Sequence, residues 1–166
     1  IKRLIGVPGD TVQMKDGRLI LNGNYVDFKE DGKFIEIMER QGSMGRQPRC
    51  AKAPVGLGGV CEKERGIETL PSGKSYSVLN ISNQGSDNTG VYTVPEGHYF
   101  FIGDNRDNST DSRFRQNYSN PSSSGVGFVK FEDIIGRADR IMFSSAGKSM
   151  FFFWTWRSDR FFKEVI

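Results

Sequence analysis

Three dipeptides, Asp16-Gly17, Asn22-Gly23 and Asp31-Gly32, cut residues 11–38 into short apolar runs and constrain the fold more than any other feature of the chain. Asn-Gly and Asp-Gly suit two-residue turns that need φ > 0 at both central positions, the turns whose twist matches an antiparallel hairpin. Between them lie Thr11-Val12-Gln13-Met14, Arg18-Leu19-Ile20-Leu21, Tyr25-Val26-Asp27-Phe28 and Phe34-Ile35-Glu36-Ile37-Met38, each too short for a helix. The expected result is a β meander. Tyr76–Ile81, Val91–Val94 and His98–Ile102 continue the pattern, and Arg140-Ile141-Met142-Phe143 reads as a closing strand. Apolar residues make up only 36% of the chain and glycine reaches 20 residues, which suits a loop-rich β protein better than a helical one. From Arg40 to about Ser75 the pattern dissolves into Gly, Pro, Lys and Arg, and Val129–Ala138 has room for one short helical turn.

Directly after the bulky run His98–Ile102 comes Gly103-Asp104-Asn105-Arg106-Asp107-Asn108-Ser109-Thr110-Asp111-Ser112-Arg113, without one aliphatic or aromatic side chain. A dense polar loop at the end of a buried strand is a position where sites are commonly built. Its three aspartates and two arginines are close enough to pair with one another. As a calcium loop it fails, because Arg106 breaks the Asp-x-Asn-x-Asn-Gly spacing and no glycine follows. The plainer reading is a surface loop that satisfies its own charges.

The chain opens Ile1-Lys2-Arg3-Leu4-Ile5-Gly6-Val7-Pro8-Gly9-Asp10, a strand ending in a Pro-Gly turn. Strand side chains alternate, so Ile1, Arg3 and Ile5 share one side while Lys2 and Leu4 share the other. If the Leu4 side is the buried one, Lys2 is the cation that loses water.

Lys-Arg-x-x-Gly-x-Pro-Gly-Asp at 2–10, followed by Gly-Asp-Asn-Arg-Asp-Asn-Ser-x-Asp-Ser-Arg at 103–113, resembles bacterial type I signal peptidase, or leader peptidase. The resemblance implies a mainly β fold: a catalytic core, residues 1–10 and 96–166, interrupted by a variable β-rich second domain, residues 11–95. It implies that Lys2 is the general base, that the Ser109 hydroxyl contacts it, and that Asp111 and Arg113 form a supporting salt bridge. Ile1, beside the base, would line a shallow apolar substrate pocket or pack as core. The implied substrates are secreted preproteins, cut after small residues such as Ala-x-Ala. The implied location is the bacterial inner membrane, with the catalytic domain on the periplasmic side.

In that family the nucleophilic serine lies in a Ser-x-Ser-Met-x-Pro-Thr segment upstream of the lysine strand, and only Ile1 precedes Lys2 here. Gly42-Ser43-Met44 looks similar but lacks the proline and lies on the wrong side of Lys2, so it reads as loop. A chain opening on Ile1 is therefore expected to be a fragment or processed product, inactive by itself, with the family's transmembrane anchor in the missing part. A serine needs a base beside it, and lysine can serve only when neutral. A free lysine has a pKa near ~10.4 and burial lowers such a value by up to ~3 to 5 units. Lys2 is accordingly expected on a dry strand. The single histidine, His98, sits on a strand away from the loop, which argues against a Ser-His-Asp triad.

The net charge of +3 is too small and scattered to indicate nucleic acid, and no cofactor is implied. No apolar run reaches the roughly 18 residues that cross a bilayer. Cys50 and Cys61 are either a disulfide, worth roughly 3 kcal/mol in a loop of this size and implying an oxidising compartment, or two free thiols. With one histidine they make no zinc site. The tail Met150–Phe162 carries Trp154 and Trp156 among phenylalanines and arginines. It is suited either to contact a membrane surface, rings at the headgroups, or to cap a β core.

Other serine-lysine and phosphate-loop echoes fail. Ser145-Ala146-Gly147-Lys148 and Ser86-Asp87-Asn88 occur in reversed order with no Lys-Thr-Gly following, and Gly73-Lys74-Ser75 and Gly147-Lys148-Ser149 lack the first glycine. Two rivals stand: a non-catalytic extracytoplasmic β module binding a partner or membrane through the aromatic tail, and another serine-lysine peptidase of the same superfamily. The cysteine pair and the complete second string disfavour the latter.

Overall fold

The structure, a computed structural model of the chain, describes residues 1–41, 45–52, 54–117, 119–120, 124–145 and 151–165. Gly42-Ser43-Met44, most of the Ser145–Lys148 echo and Met150 lie outside the described residues. Within them the chain is mainly β, with short 3₁₀ turns and no α-helix. Contacts divide it into two compact units, Ile1–Lys33 with Glu64–Ile135 and Phe34–Lys63 with Gly136–Ile166.

In the first unit, β1 (Arg3–Gly6) pairs antiparallel with β9 (His98–Ile102), and β9 with β10 (Val129–Lys130). A second sheet runs β4 (Asn24–Tyr25), β3 (Arg18–Leu21), β2 (Thr11–Lys15), β8 (Tyr92–Thr93). Two of its hairpins turn where the dipeptides placed them. Lys15 faces Arg18 across Asp16-Gly17, and Leu21 faces Asn24 across Asn22-Gly23, with φ of 49° and 73° in the first turn and 52° and 78° in the second. All four residues take the left-handed values the turn requires.

The third dipeptide does not turn. β5 (Asp27–Ile37) runs straight through Asp31-Gly32, because only Gly32 adopts positive φ, at 68°. Asp31 is held instead by Arg65, whose Nε lies 2.8 Å from its carboxylate and 3.0 Å from its backbone oxygen. Arg65 belongs to β6 (Val60–Thr69), the middle strand of a sheet ordered β5, β6, β7 (Ser75–Asn80). The strand β6 departs from the sequence pattern, since it falls where the apolar runs dissolve. Its burial alternates in two phases, Cys61 and Lys63 first and Gly66 and Glu68 after, so the two halves of the strand bury opposite faces, each with one charged residue.

The main core gathers Ile5, Val12, Met14, Leu19, Phe100 and Ile102 with neighbours from β7 and β8's flank. Each such side chain contributes roughly 1.5–3 kcal/mol by leaving water. In the second unit Met38, Cys50 and Cys61 pack with Val55, and Cys50 and Cys61 are joined as a disulfide. β11 (Arg140–Ile141) pairs with β12 (Lys163–Glu164), and Phe143 stacks on Trp156 at 4.7 Å between ring centres. The helical turn expected after Val129 is a 3₁₀ turn at Phe131–Asp133.

Gly66 marks a close approach: a Cβ there would lie 2.2 Å from Cε2 of Phe28. Gly66→Ala is expected to lower stability by about 1–3 kcal/mol through overpacking, read from urea midpoints. An unchanged midpoint would mean that Phe28 swings clear.

Candidate functional site

The polar loop doubles back along the strand that feeds it. Ser112 N–H donates to the Phe101 carbonyl and Phe101 N–H to Ser112 Oγ, both at 3.0 Å. From the side, Leu79 N–H donates to the Asp104 carbonyl at 2.9 Å, and Asp107 Oδ2 accepts the N–H groups of Ile81 and Ser82 at 2.7 and 3.0 Å. Tyr92 donates its hydroxyl to the Arg113 carbonyl at 2.8 Å.

At the centre sits Asp111, completely buried. It accepts a fork from Arg113, Nε to Oδ1 and Nη2 to Oδ2, each at 2.9 Å, and the Gly103 N–H at 3.0 Å. Burial alone would push its carboxyl up. The Arg113 guanidinium, the Gly103 N–H and a hydrogen bond with the Ser109 hydroxyl outweigh that and hold it below the usual carboxylate range.

Against this cluster Lys2 Nζ meets Ser109 Oγ at 2.6 Å, across 107 residues of sequence. The approach depends on Gly103, where an added Cβ would lie 2.2 Å from Ser109 Oγ and 3.4 Å from Lys2 Nζ. With its proton directed to Asp111, the Ser109 oxygen is oriented to accept from the lysine amine. The geometry strings lysine, hydroxyl, carboxylate and guanidinium in one line.

The loop charges expected to pair among themselves do so in part. Asp111 and Arg113 pair within the loop, while Asp104, Arg106 and Asp107 reach outside it. Asp104 binds Arg3 in a fork, both contacts at 2.8 Å. Arg106 Nη2 binds the buried Glu68 carboxylate, whose Oε2 also accepts the Tyr76 hydroxyl at 2.9 Å. Burial, with Glu68 adding to it, pushes the Tyr76 phenol well up; burial opposes the Arg106 charge, and Glu68 outweighs it. Arg3 lies over the Tyr76 ring, 3.9 Å from its centre.

Lys2 is exposed, where a dry amine was expected. The reason is the alternation of β1: Ile5 is 6% exposed and Leu4 41%, so the inward side carries Arg3, and Lys2 falls on the outward one. Ile1 is fully exposed and joins no core. His98 stands at the far end of β9 from the loop, its Nδ1 2.9 Å from the Glu96 carbonyl. The two tryptophans part company: Trp156 packs between Phe143 and Phe161, whereas Trp154 is 67% exposed beside Phe152 and Phe153. Among the described residues there is no cluster able to hold a metal, and no helix long and apolar enough to cross a membrane.

The sequence pattern does not single out Arg3, Glu68 or Tyr76 as parts of the site. Arg3 was within reach, since it shares a face with Ile5. Glu68 was hidden by the charges around it in β6.

The fold and the loop define a mainly β protein that holds a lysine amine on a serine hydroxyl above a buried ion pair. The family model described as signal peptidase, peptidase S26, matches residues 1–143, and the chain belongs to that family. It is 38% identical over 152 residues to a signal peptidase I of Rickettsia typhi (strain ATCC VR-144 / Wilmington), covering 87% of this chain and 46% of that one. Against signal peptidase I of Rickettsia bellii (strain OSU 85-389) the identity is 38%, covering 42% of the relative, and against that of Rickettsia canadensis (strain McKiel) 36%, covering 46%. The chain thus spans less than half the length of these relatives.

Because the folded-state Asp111 carboxyl is held down, its ionisation adds stability that is fully present above the unfolded value of about 3.9 and is lost as pH falls through the lower folded value. Asp111→Asn is therefore expected to cost most near neutrality, with the gap to the parent narrowing below about pH 4. Thermal melts at pH 7 and pH 3 measure it, and a gap that stays constant would contradict the assignment.

Proposed function

We propose that this chain supplies the basic half of a serine-lysine endopeptidase that removes signal peptides from secreted preproteins. The observation that carries the reading is the 2.6 Å contact between Lys2 and Ser109, set over the Asp111–Arg113 pair. In this reading the nucleophilic serine comes from chain preceding Ile1. Lys2 takes its proton, the alkoxide attacks the scissile carbonyl, an acyl-enzyme forms with release of the mature N-terminus, and water hydrolyses the ester. The amine returns the proton to the leaving nitrogen.

A lysine amine that hydrogen-bonds one hydroxyl keeps its lone pair in a fixed direction, and this is what Ser109 offers. Asp111, by accepting the Ser109 proton, turns the oxygen lone pairs toward Lys2. The Arg113 cation keeps Asp111 ionised, so the line of donors is not reversed. Since Lys2 is exposed in the chain by itself, the removal of water that a neutral amine needs falls to the serine segment and the bound substrate. Ile1, beside the base and open, would then touch the substrate's small residues.

Lys2→Ala, in a form carrying the serine segment, is expected to lower kcat on a signal-peptide substrate by about 10²–10⁴-fold, and Ser109→Ala by about tenfold, the worth of one hydrogen bond. Equal cleavage by parent and Lys2→Ala would rule the reading out.

The Cys50–Cys61 disulfide supports an oxidising compartment, and we place the catalytic part on the periplasmic side of the bacterial inner membrane. Trp154, with Phe152 and Phe153 beside it, would lie at the lipid headgroups, while Trp156 serves its own unit's packing. Flotation with anionic liposomes separates the two: Trp154→Ser is expected to weaken binding at an unchanged melting temperature, and Trp156→Ser to lower the melting temperature. Undiminished binding by Trp154→Ser would remove the membrane contact.

A further inference from the structure

We infer that Glu68 is a positioning residue for the Lys2–Ser109 contact, an inference that rests on the reading above. Glu68 is 1% exposed. A carboxylate so placed is expensive unless it is fully engaged. Its Oε2 is engaged twice, by Arg106 Nη2 and by the Tyr76 hydroxyl.

Both partners lead to the site, by different routes. Arg106 opens the 3₁₀ turn Arg106–Asn108 that ends at Ser109. Its backbone carbonyl accepts Arg113 Nη2 at 2.6 Å, and the same nitrogen grips Asp111 Oδ2 at 2.9 Å. A shift of Arg106 therefore moves both the stem of Ser109 and the cation that fixes Asp111. Tyr76 lies beneath the Arg3 guanidinium, and Arg3 follows Lys2 directly in β1's approach. One carboxylate thus stands at the root of both members of the contact, and Asp104, bound to Arg3, lies on the Arg106 side as well.

If Glu68 served stability alone, its loss would lower the melting temperature and leave the folded site as it was. A positioning role predicts more. Glu68→Gln keeps the shape and removes the charge, leaving a buried guanidinium uncompensated. In a form carrying the serine segment, kcat on a signal peptide is expected to fall on the order of 10- to 100-fold from misplacement of the contact, with KM little changed. In residues 1–166 as they stand, the Lys2 Cε resonance, assigned by its loss in Lys2→Arg, is followed by NMR against pH. Glu68→Gln is expected to move its midpoint in the same direction as Ser109→Ala. Tyr76→Phe, which removes one hydrogen bond and no charge, is expected to do the same more weakly, and it decides the matter if Glu68→Gln does not fold.

A Lys2 midpoint that Ser109→Ala moves and neither Glu68→Gln nor Tyr76→Phe moves would overturn the inference. So would one that Ser109→Ala itself fails to move. A parent that cleaves nothing would defeat the serine-lysine reading, yet the NMR comparison would still decide whether Glu68 positions the lysine.

Discussion

The carboxylate of Asp111 is the point at which the loop closes. Its Oδ2 takes the N–H of Gly103, the first loop residue, and its Oδ1 the N–H of Arg113, the last, at 3.0 and 3.2 Å. Eleven residues with no apolar side chain cannot be held by burial of hydrocarbon, so one ionised group holds both ends instead. The arrangement stands only if the charge is matched. Arg113 supplies the match, itself tied to the Arg106 carbonyl, and the apolar strands β1 and β9 supply the dry floor beneath.

Everything above that floor is delivered by chain that has few choices. Ser109 follows a 3₁₀ turn anchored through Asp107 to the backbone at Ile81 and Ser82. Gly103 leaves the space into which its oxygen fits. Lys2 comes from the far end of the sequence on a strand paired to β9, the strand that launches the loop. The 2.6 Å contact is thus the meeting of two adjacent strands' ends, and it needs no long or flexible connection. A lysine on the outward face of such a strand is open to whatever docks over it.

Much of this was legible in the residues. Asp16-Gly17 and Asn22-Gly23 announced their hairpins because the turn chemistry is local and both positions can take left-handed backbone. Asp31-Gly32 misled because Arg65, a residue thirty-four positions on, holds Asp31 extended. The strings at 2–10 and 103–113 located the loop and the lysine, since their polar residues are unusual in density and order. What stayed hidden was tertiary. That Arg3 faces inward depends on which side of β1 the core chooses, and that Glu68 is interior depends on a partner, Arg106, from another strand's loop. In the tail the sequence did not separate the two tryptophans: Trp156 packs between Phe143 and Phe161, and Trp154 stays largely exposed.

The strand β6 carries one further implication. Its buried positions bear, on opposite faces, Lys63, matched by Glu36 at 2.6 Å, and Glu68, matched by Arg106. A slip of one residue turns every side chain of a strand to its other face. In this strand such a slip would also carry each ion away from its partner, so charge holds the register as well as burial. The sequence least recognisable as a strand is therefore pinned at two points along its length by ion pairs.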